Sequence, residues 1–446
     1  MPCPVLLACA SGSSGREDAC MTDLAIPLDR RRMLADLADL VAIPSIGGTP
    51  AERQIQQHLA SAWHTEGLVV HEWDVDLTNG GPVVAAPGFP GMEVPRTRAH
   101  GVLGTWPGAG DGPTLLINAH TDVVPAGDLD AWQQDPFTAR VIEGPQGPAI
   151  AGRGTCDMKG GLVSAWAAIR ALREAGVALR GDVVIAPVSG EEDGGVGTFA
   201  LVDELARRGI APQACVIPEP TDLDIVPANG GALTFRIRVR GHAAHASRRT
   251  EGVSAITAFL PVLAGLADLE AQRNRTVDAL MHRWPIAYPL SIGTIHAGDW
   301  ASTVPDLLVA EGRYGIALGE DPAEARRVLE DAIGQICADD PWLREHPVEV
   351  QWWGGQFASG STPLDDPLIG ALRDAHCADG APAPSIYGAP YGSDLRLLAP
   401  HMPTVQYGPG DSALAHSPDE SVPIAQLEQC ARALAHLMID VCGRFW

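Results

Sequence analysis

Short apolar runs rich in β-branched residues alternate with helical patterns between residues 114 and 225. Lys159 to Glu174 has small and apolar residues at helical spacing, so it is predicted to form a helix that crosses between two strands. Strands joined by such helices form a mostly parallel sheet with helices on both faces, and the sequence therefore predicts an α/β fold. The predicted buried strands are TLLINAH (114–120), DVVIAPVSG (182–190) and ACVIPEP (214–220).

The pattern changes at Asn229-Gly230-Gly231, where the alternating strand LTFRIRVRG begins a different arrangement. The elements predicted after that strand are a helix near 251–271, strands near 290–296 and 304–316, a helix near 321–338 and a strand at 347–354. This βαββαβ order indicates a small α+β domain inserted into the α/β domain. The earlier pattern returns afterwards, with a helix near 366–377, a strand at 403–408 and a last helix near 423–442.

A chain of 446 residues is too long for one ordinary hydrophobic core, which agrees with this division. Residues 1–21 are interpreted as a disordered leader or a mis-assigned start, because Met21 opens a segment that soon becomes helical. The predicted domains are the first part of the α/β domain (22–228), the inserted α+β domain (229–355) and the second part of the α/β domain (356–446).

The charge balance excludes several classes of partner. There are 31 basic and 55 acidic residues, a net charge of −24, which argues against binding to nucleic acid or to an anionic membrane. No apolar stretch reaches the roughly 18 residues that a membrane span needs. The nine cysteines show no CxxC spacing, so neither a disulfide framework nor a thiolate zinc site is indicated. We expect a soluble cytoplasmic protein.

Acidic and imidazole side chains follow each predicted strand of the first domain, at its carboxyl end. Open α/β sheets bind their ligands at this edge. Two further candidates are Asp157, in the turn before the crossover helix, and His416, in the loop after the strand at 403–408. The residues that follow the three strands are His120 and Asp122, then Glu191 and Glu192, then Glu219.

The spacing within these groups suggests a division of labour. His120 and Asp122 are two residues apart, so on an extended backbone both side chains face the same way, and one can bind a metal while the other orients it. Glu191 and Glu192 are neighbours, so one carboxylate can bind the metal while the other faces the substrate as a general base. Each pair on its own is also typical of an ordinary polar loop.

A charge count favours two metal ions over one. Two divalent cations carry four positive charges, which Asp157, Glu192, Glu219 and one bridging hydroxide would neutralise. Nitrogen and carboxylate ligands without thiolate suit zinc, and the same set also accepts cobalt or manganese.

The motifs around these residues resemble a family of co-catalytic metallopeptidases and deacylases. That family includes acetylornithine deacetylase, succinyl-diaminopimelate desuccinylase, aminoacylase and carboxypeptidase G. The resemblance runs from about residue 30 to the C-terminus, with the motifs in the order and at the spacing of the family. The motifs are NAHTDVVPAG, GRGTCDMKGG, SGEEDGG, PEPT, GHAAHAS and GPGDSALAHSPDE.

The resemblance implies a role for each candidate ligand. Asp157 would bridge both metal ions, His120 and Glu219 would complete the shell of one ion, and Glu192 and His416 would complete that of the other.

The same resemblance implies the groups that act beside the metals. Glu191 would be the general base, and Asp122 would orient His120. The peptide bond between Asp157 and Met158 would be cis.

The resemblance implies that residues 229–355 form the lid and dimerisation domain and that residues 22–228 and 356–446 form the catalytic domain. It also implies substrate contacts. His245 of GHAAHAS would stabilise the oxyanion, frequently from the neighbouring subunit of a homodimer formed through the lid. Arg313 would hold a substrate carboxylate, and Gly392 and Ser393 would border the substrate cavity. Ser302 stands where many relatives carry a substrate-contacting Asn, so support of the oxyanion is expected to differ here.

The sequence thus predicts a metal-dependent amidohydrolase that removes an acyl group from an N-acyl amino acid or similar small N-acyl amine, by attack of a metal-bridging hydroxide. PEPT, with Glu219 rather than Asp, places the chain nearer the acetylornithine and succinyl-diaminopimelate branch. A dipeptidase or carboxypeptidase of the same family is the enzymatic alternative. A non-catalytic binding module is the alternative from another class.

Overall fold

A computed structural model describes residues 26–443 of the chain. The leader predicted over residues 1–21 lies outside these residues. The helices of the described part are α1 (Arg30–Val41), α2 (Pro50–Thr65), α3 (Gly160–Glu174), α4 (Val196–Arg208), α5 (Ala255–Arg273), α6 (Pro322–Asp339), α7 (Pro341–Glu345), α8 (Pro367–Cys377), α9 (Leu395–Leu398) and α10 (Ile424–Cys442). Its strands are β1 (Val69–Asp76), β2 (Arg98–Trp106), β3 (Leu115–His120), β4 (Arg140–Gly144), β5 (Gly147–Ala151), β6 (Val183–Val188), β7 (Ala214–Ile217), β8 (Ile225–Asn229), β9 (Gly231–Arg240), β10 (Leu290–Ala297), β11 (Leu307–Ile316), β12 (Glu349–Phe357), β13 (Gly360–Ser361), β14 (Ile386–Ala389), β15 (Thr404–Gln406) and β16 (Ser421–Pro423).

The main sheet is parallel in its centre and antiparallel toward its edges. Its strand order is β1-β2-β6-β3-β7-β15-β8-β13, and β14 pairs with β8. Strands β6, β3, β7 and β15 run parallel to one another, whereas β1 and β2 are antiparallel additions. Every residue of β3, β6 and β7 is buried, as expected for parallel strands covered on both faces. The predicted α/β fold is confirmed.

Helix α3 is the crossover helix that the sequence predicts, and it lies at the centre of the core. Thirteen of its fifteen residues are buried, because α10 packs along it and α1 and α2 flank it. Trp63 of α2 and Trp166 of α3 meet edge to face, with ring centroids 6.1 Å apart. Ser164 donates a hydrogen bond to the main-chain oxygen of Leu427 in α10 at 3.1 Å. These contacts fix the start of α3 relative to the sheet.

A second, four-stranded antiparallel sheet forms the predicted lid. Its order is β10-β11-β9-β12, with α5 and α6 packed on it in the predicted βαββαβ sequence of elements. The lid has its own core, which includes Leu233, Phe235, Ile237 and Val239 of β9. The short helix α7 was not predicted. Strand β12 continues to Phe357, two residues past the predicted end of the lid domain at residue 355. The boundaries of the domains remain a prediction.

A third, small sheet was not predicted from the sequence. Strands β16, β5 and β4 pair antiparallel in that order. Their short length and mixed burial give no clear alternation in the sequence. The end of β5 leads directly into the turn that carries Asp157.

Helix α5 is the one described helix that is long and apolar enough to cross a membrane, judged by length and composition alone. It packs on the lid sheet with one face, and 33% of its apolar window is buried.

Gly161 lets the start of α3 approach the chain that follows β7. A Cβ atom at this position would lie 1.9 Å from the main-chain oxygen of Pro218, and a backbone atom cannot rotate away. We expect Gly161→Ala to destabilise the protein by about 1–3 kcal/mol, the usual cost of overpacking a rigid site. Thermal unfolding should show a lower Tm.

Gly370 of α8 is the matched control, because a Cβ atom there would meet nothing within 4 Å. Gly370→Ala is expected to raise stability by up to about 1 kcal/mol through helix propensity. An unchanged Tm in Gly161→Ala would contradict the close approach.

Candidate metal centre and substrate cavity

The five predicted ligands meet at the carboxyl edge of the parallel strands. His120 ends β3, and the other four lie on the loops after β6, β7 and β15 and on the turn before α3. Because β6, β3, β7 and β15 are adjacent and parallel, their carboxyl ends place these loops side by side. The structure thus brings together His120, Asp157, Glu192, Glu219 and His416.

The ligands form two groups of three that share Asp157. In one group, Nε2 of His120 lies 2.9 Å from Oδ1 of Asp157 and 3.8 Å from Oε2 of Glu219. In the other, Nε2 of His416 lies 3.4 Å from Oδ2 of Asp157 and 3.0 Å from Oε2 of Glu192. Each oxygen of Asp157 therefore faces a different histidine, as a bridging carboxylate requires.

The spacing and the chemistry of these atoms fit two divalent cations. Ligands held tetrahedrally at the Zn–N and Zn–O distances of about 2.0–2.2 Å stand about 3.3–3.6 Å apart, and the observed separations lie around that value. Burial, with nearby carboxylates in support, raises the pKa of Glu219 well above its usual range and also raises that of Glu192. Closely packed buried carboxylates of this kind call for compensating positive charge.

Asp122 makes two different contacts at the centre. Nδ1 of His120 lies 3.0 Å from the main-chain oxygen of Asp122 and 3.9 Å from its carboxylate. The carboxylate instead accepts hydrogen bonds from the main-chain N–H groups of Glu191, at 3.3 Å, and Glu192, at 3.2 Å. The main chain of Asp122 therefore orients His120, and its side chain fixes the loop that carries the two glutamates.

Glu191 belongs to neither group of ligands. It lines the cavity that lies above the two ligand groups, which is described below, and the residue is only 8% exposed. Burial is the main cause that raises the pKa of its carboxyl well above the usual range, and Asp394 adds to the effect. Its neighbour Glu192 points to His416, so the two adjacent glutamates face different partners.

Glu420 is a buried residue that the sequence analysis did not single out. Its carboxylate accepts hydrogen bonds from the main-chain N–H groups of Gly154, Cys156 and Asp157, at 2.8, 3.1 and 3.2 Å, and forms an ion pair with Arg153 at 2.6 Å. These bonds hold the turn that presents Asp157. The only sequence signal was its place at the end of the motif GPGDSALAHSPDE. The cis peptide bond between Asp157 and Met158 that the resemblance implied is present in this turn.

Arg96 supports the other side of the centre and was also missed. It lies between Asp193 and Glu52, with nitrogen–oxygen distances of 2.8 and 2.9 Å. Both ion pairs are buried, and Asp193 directly follows the two glutamates. Breaking a buried pair costs several kcal/mol, so this arrangement makes the Glu191–Glu192 loop rigid.

A cavity of approximately 560 Å³ opens above the ligands, between the catalytic sheet and the lid. Asp157, Glu192, Glu219 and His416 lie along one wall, and the lid strand β11 contributes Arg313. Burial lowers the pKa of Arg313, and the nearby carboxylates of Glu191 and Glu93 act in the opposite direction. The predicted cavity residues Gly392 and Ser393 lie on its border.

His245 does not line this cavity within one chain. Its exposed ring contacts Ser247, with Nδ1 2.8 Å from the hydroxyl oxygen. It follows the outer end of β9, whereas Thr234 of the same strand lines the cavity. The six steps from Thr234 to Arg240 span about 20 Å at the rise of a β-strand. Within one chain, His245 therefore lies outside the cavity that the candidate ligands line.

Comparisons with known proteins place this centre in a family. A family model described as peptidase family M20/M25/M40 matches residues 116–440. The chain belongs to this family. The resemblance inferred from the motifs is thereby confirmed, and so is the prediction that the protein is a hydrolase.

Relatives within the family cover most of the chain. An N-formyl-4-amino-5-aminomethyl-2-methylpyrimidine deformylase of Bacillus subtilis is 28% identical over 419 residues, 87% of this chain and 89% of the relative. A succinyl-diaminopimelate desuccinylase of Gluconacetobacter diazotrophicus is 32% identical over 334 residues, 71% of this chain and 78% of the relative.

A solved structure supports the fold. The YXEP protein of Bacillus subtilis, described as a dinuclear metal binding peptidase from the M20 family, superposes with a TM-score of 0.59 at 18% identity. The alignment covers 93% of this chain and 99% of that one. The similarity in fold therefore extends over most of the chain.

Proposed function

We propose that this protein is a metal-dependent deacylase that hydrolyses the amide bond of an N-acyl amino acid or similar small N-acyl amine. The observation that carries the proposal is the pair of ligand groups sharing Asp157 beneath a cavity of approximately 560 Å³. A cavity of that size suits a small molecule, since ligand pockets are typically about 300–1,000 Å³.

His120, Asp157 and Glu219 would hold one ion, and Asp157, Glu192 and His416 the other. Zinc suits this set of nitrogen and carboxylate ligands, and cobalt or manganese would also bind. Bound ions of this kind polarise an amide carbonyl and lower the pKa of a water molecule.

Glu191 would carry protons between the attacking water and the leaving nitrogen. Its position on the cavity wall, outside both ligand groups, leaves its carboxylate free for this task. As general base it would accept a proton from water, and as general acid it would deliver that proton to the amine. Asp122 would hold the loop that carries this glutamate through its two main-chain contacts.

The cavity walls suggest how a substrate is held. Arg313 is placed to bind a carboxylate of an N-acyl amino acid. Gly392 lies so close to Phe357 that a Cβ atom would come within 2.7 Å of that side chain, so it would act as a flat wall. Ser393 already donates a hydrogen bond to Asn229 at 3.4 Å and accepts one from the main chain of Leu395 at 3.2 Å, so it would support the wall.

The relatives suggest two substrate branches. The deformylase name specifies a formyl group on an aminomethyl-pyrimidine, and the desuccinylase name specifies a succinyl group on diaminopimelate. The cavity offers aromatic side chains that suit a flat ring, Trp353 and Phe357, as well as the cationic Arg313 that suits a carboxylate. Substrates with and without a carboxylate therefore belong in one assay.

The test is metal analysis of the purified protein together with a hydrolysis screen before and after chelation. The screen would contain N-formyl, N-acetyl and N-succinyl amino acids, an N-formyl aminomethyl-pyrimidine and dipeptides. We expect two metal ions per chain and chelator-sensitive hydrolysis of an N-acyl compound. Faster cleavage of dipeptides would favour a dipeptidase or carboxypeptidase. Metal-loaded protein that hydrolyses none of these amides would favour a binding module.

The lid would also form a homodimer, and this part of the proposal rests on an exposed apolar row. Ile256, Leu260 and Leu263 of α5 are 47%, 56% and 40% exposed, and they share one helix face. A twofold contact across this face would give His245 a second subunit to act on.

The acidic charge and the free cysteines of the described residues support a cytoplasmic location.

A further inference from the structure

The hydroxyl of Tyr391 is buried beside the metal centre without a hydrogen-bond partner among the described residues. Tyr391 lies between β14 and α9 and lines the substrate cavity. Its ring packs against a small apolar cluster that contains Val226 and Tyr387. Leaving a buried donor unpaired costs about 1–3 kcal/mol, which a ligand with an acceptor atom would recover.

Tyr391 packs beside Tyr387, whose hydroxyl contacts the main chain of Thr221 close to Glu219, so it lies on the side of the cavity that carries the candidate ligands. Burial first, and then Tyr387, Glu219 and Asp157, raise the pKa of Tyr391 well above its usual range. Neither carboxylate accepts a hydrogen bond from it. A phenol is protonated at neutral pH and therefore remains a donor. The acceptor it lacks would lie where the reacting amide must sit.

One other unpaired buried atom belongs to a residue that lines this cavity. Nε1 of Trp353 is also a donor, but Trp353 lies on the lid strand β12. Tyr391 belongs to the catalytic domain and packs beside Tyr387, which contacts the main chain two residues after Glu219, so of the two donors Tyr391 is the one assigned to the reacting carbonyl.

An oxyanion that develops on the substrate would gain from a hydrogen-bond donor in addition to the metal ions. His245 does not line the cavity within one chain. A donor on the catalytic domain itself would supply this support within one subunit.

We propose that Tyr391 is a catalytic residue whose hydroxyl donates a hydrogen bond to the acyl oxygen of the substrate as negative charge develops there. The proposal rests on the deacylase function proposed above. Tyr391 keeps its proton throughout, so no covalent or proton-transfer step passes through it. The hydrogen bond strengthens in the transition state, and it therefore acts on kcat more than on KM.

The test compares Tyr391→Phe with Tyr387→Phe on an N-acyl amine that the wild-type protein hydrolyses. Each variant removes one hydroxyl and keeps the ring. Tyr387 is 7% exposed, belongs to the same cluster, and donates to the main-chain oxygen of Thr221 at 3.4 Å, so its hydroxyl has a structural partner. We expect Tyr391→Phe to lower kcat by about 10²-fold with KM nearly unchanged, and Tyr387→Phe to keep kcat.

Two further measurements separate catalysis from structure. The metal content of Tyr391→Phe should match that of the wild type, and its Tm should not be lower, because the variant removes a buried donor that has no partner in the free protein. A phosphonamidate analogue of the substrate, which mimics the tetrahedral intermediate, should bind more weakly by the same factor as the loss in kcat/KM.

Each outcome decides the question. Unchanged kcat in Tyr391→Phe, equal losses in both variants, or loss of metal from Tyr391→Phe would overturn the proposal while the deacylase function stands. A wild-type protein that hydrolyses no N-acyl amine would overturn both.

Discussion

Asp157→Asn is expected to lose metal and turnover together. Its two oxygens face different histidines, so replacing one oxygen by an amide group weakens both ligand groups and removes one negative charge. The ions are expected to supply several kcal/mol of transition-state stabilisation, so turnover should fall by at least about 10³-fold. Metal analysis after gel filtration should find fewer than one ion per chain, where we expect two in the wild type.

Asp411→Asn is a matched control for that change. Asp411 lies on the same loop as His416, and its carboxylate accepts a hydrogen bond from the main-chain N–H of Ala413 at 2.9 Å. The oxygen of an asparagine can accept the same bond, so metal content and turnover should stay close to wild type. An Asp157→Asn variant that keeps both ions would show that this carboxylate does not bridge them.

Glu191→Gln is expected to leave the metals in place and to slow turnover by about 10²–10⁴-fold, the usual contribution of a positioned acid–base group. Glutamine has nearly the shape of glutamate but cannot accept a proton from water. Because Glu191 lies outside both ligand groups, its substitution should not alter the metal content. The measurement is kcat on the best substrate from the screen, with metal analysis of the same sample.

Glu192→Gln provides the contrast, one residue further along the chain. Glu192 lies 3.0 Å from His416, so its substitution should reduce metal content as well as turnover. Near-normal kcat in Glu191→Gln with both ions bound would assign the proton transfer to another group. Loss of metal from both variants would instead show that Glu191 also belongs to the metal shell.

The fold was largely predictable because its core strands are local and unambiguous. The predicted strands at 114–120, 182–190 and 214–220 contain β3, β6 and β7, and the predicted helix 159–174 coincides with α3 apart from its first residue. Buried parallel strands are nearly continuous apolar runs in the sequence, so each can be recognised without knowing which strands pair with it. The short strands β4, β5 and β16 were missed because they are mixed in burial and stabilised mainly by pairing with each other.

The candidate ligands were predictable for a related reason. Parallel strands place their carboxyl ends at one edge, so acidic and imidazole residues after each strand must converge once the strand order is right. The order of the motifs, through the family resemblance, then indicated a role for each residue. His120, Asp157, Glu192, Glu219 and His416 were therefore identifiable as a set before any distance was known.

The sequence by itself determined the α/β architecture, the inserted lid and the set of residues at the metal centre, since each follows from patterns local to a strand, a helix or a motif. Only the tertiary structure decided which residues support that centre. Glu420 holds the turn of Asp157 although the two residues are 263 positions apart in the sequence. Asp122 fixes the loop of Glu191 and Glu192 from about 70 positions away. The same is true of the unpaired hydroxyl of Tyr391 and the remote position of His245. Such contacts join residues that are far apart in the sequence, so no local sequence pattern indicates them.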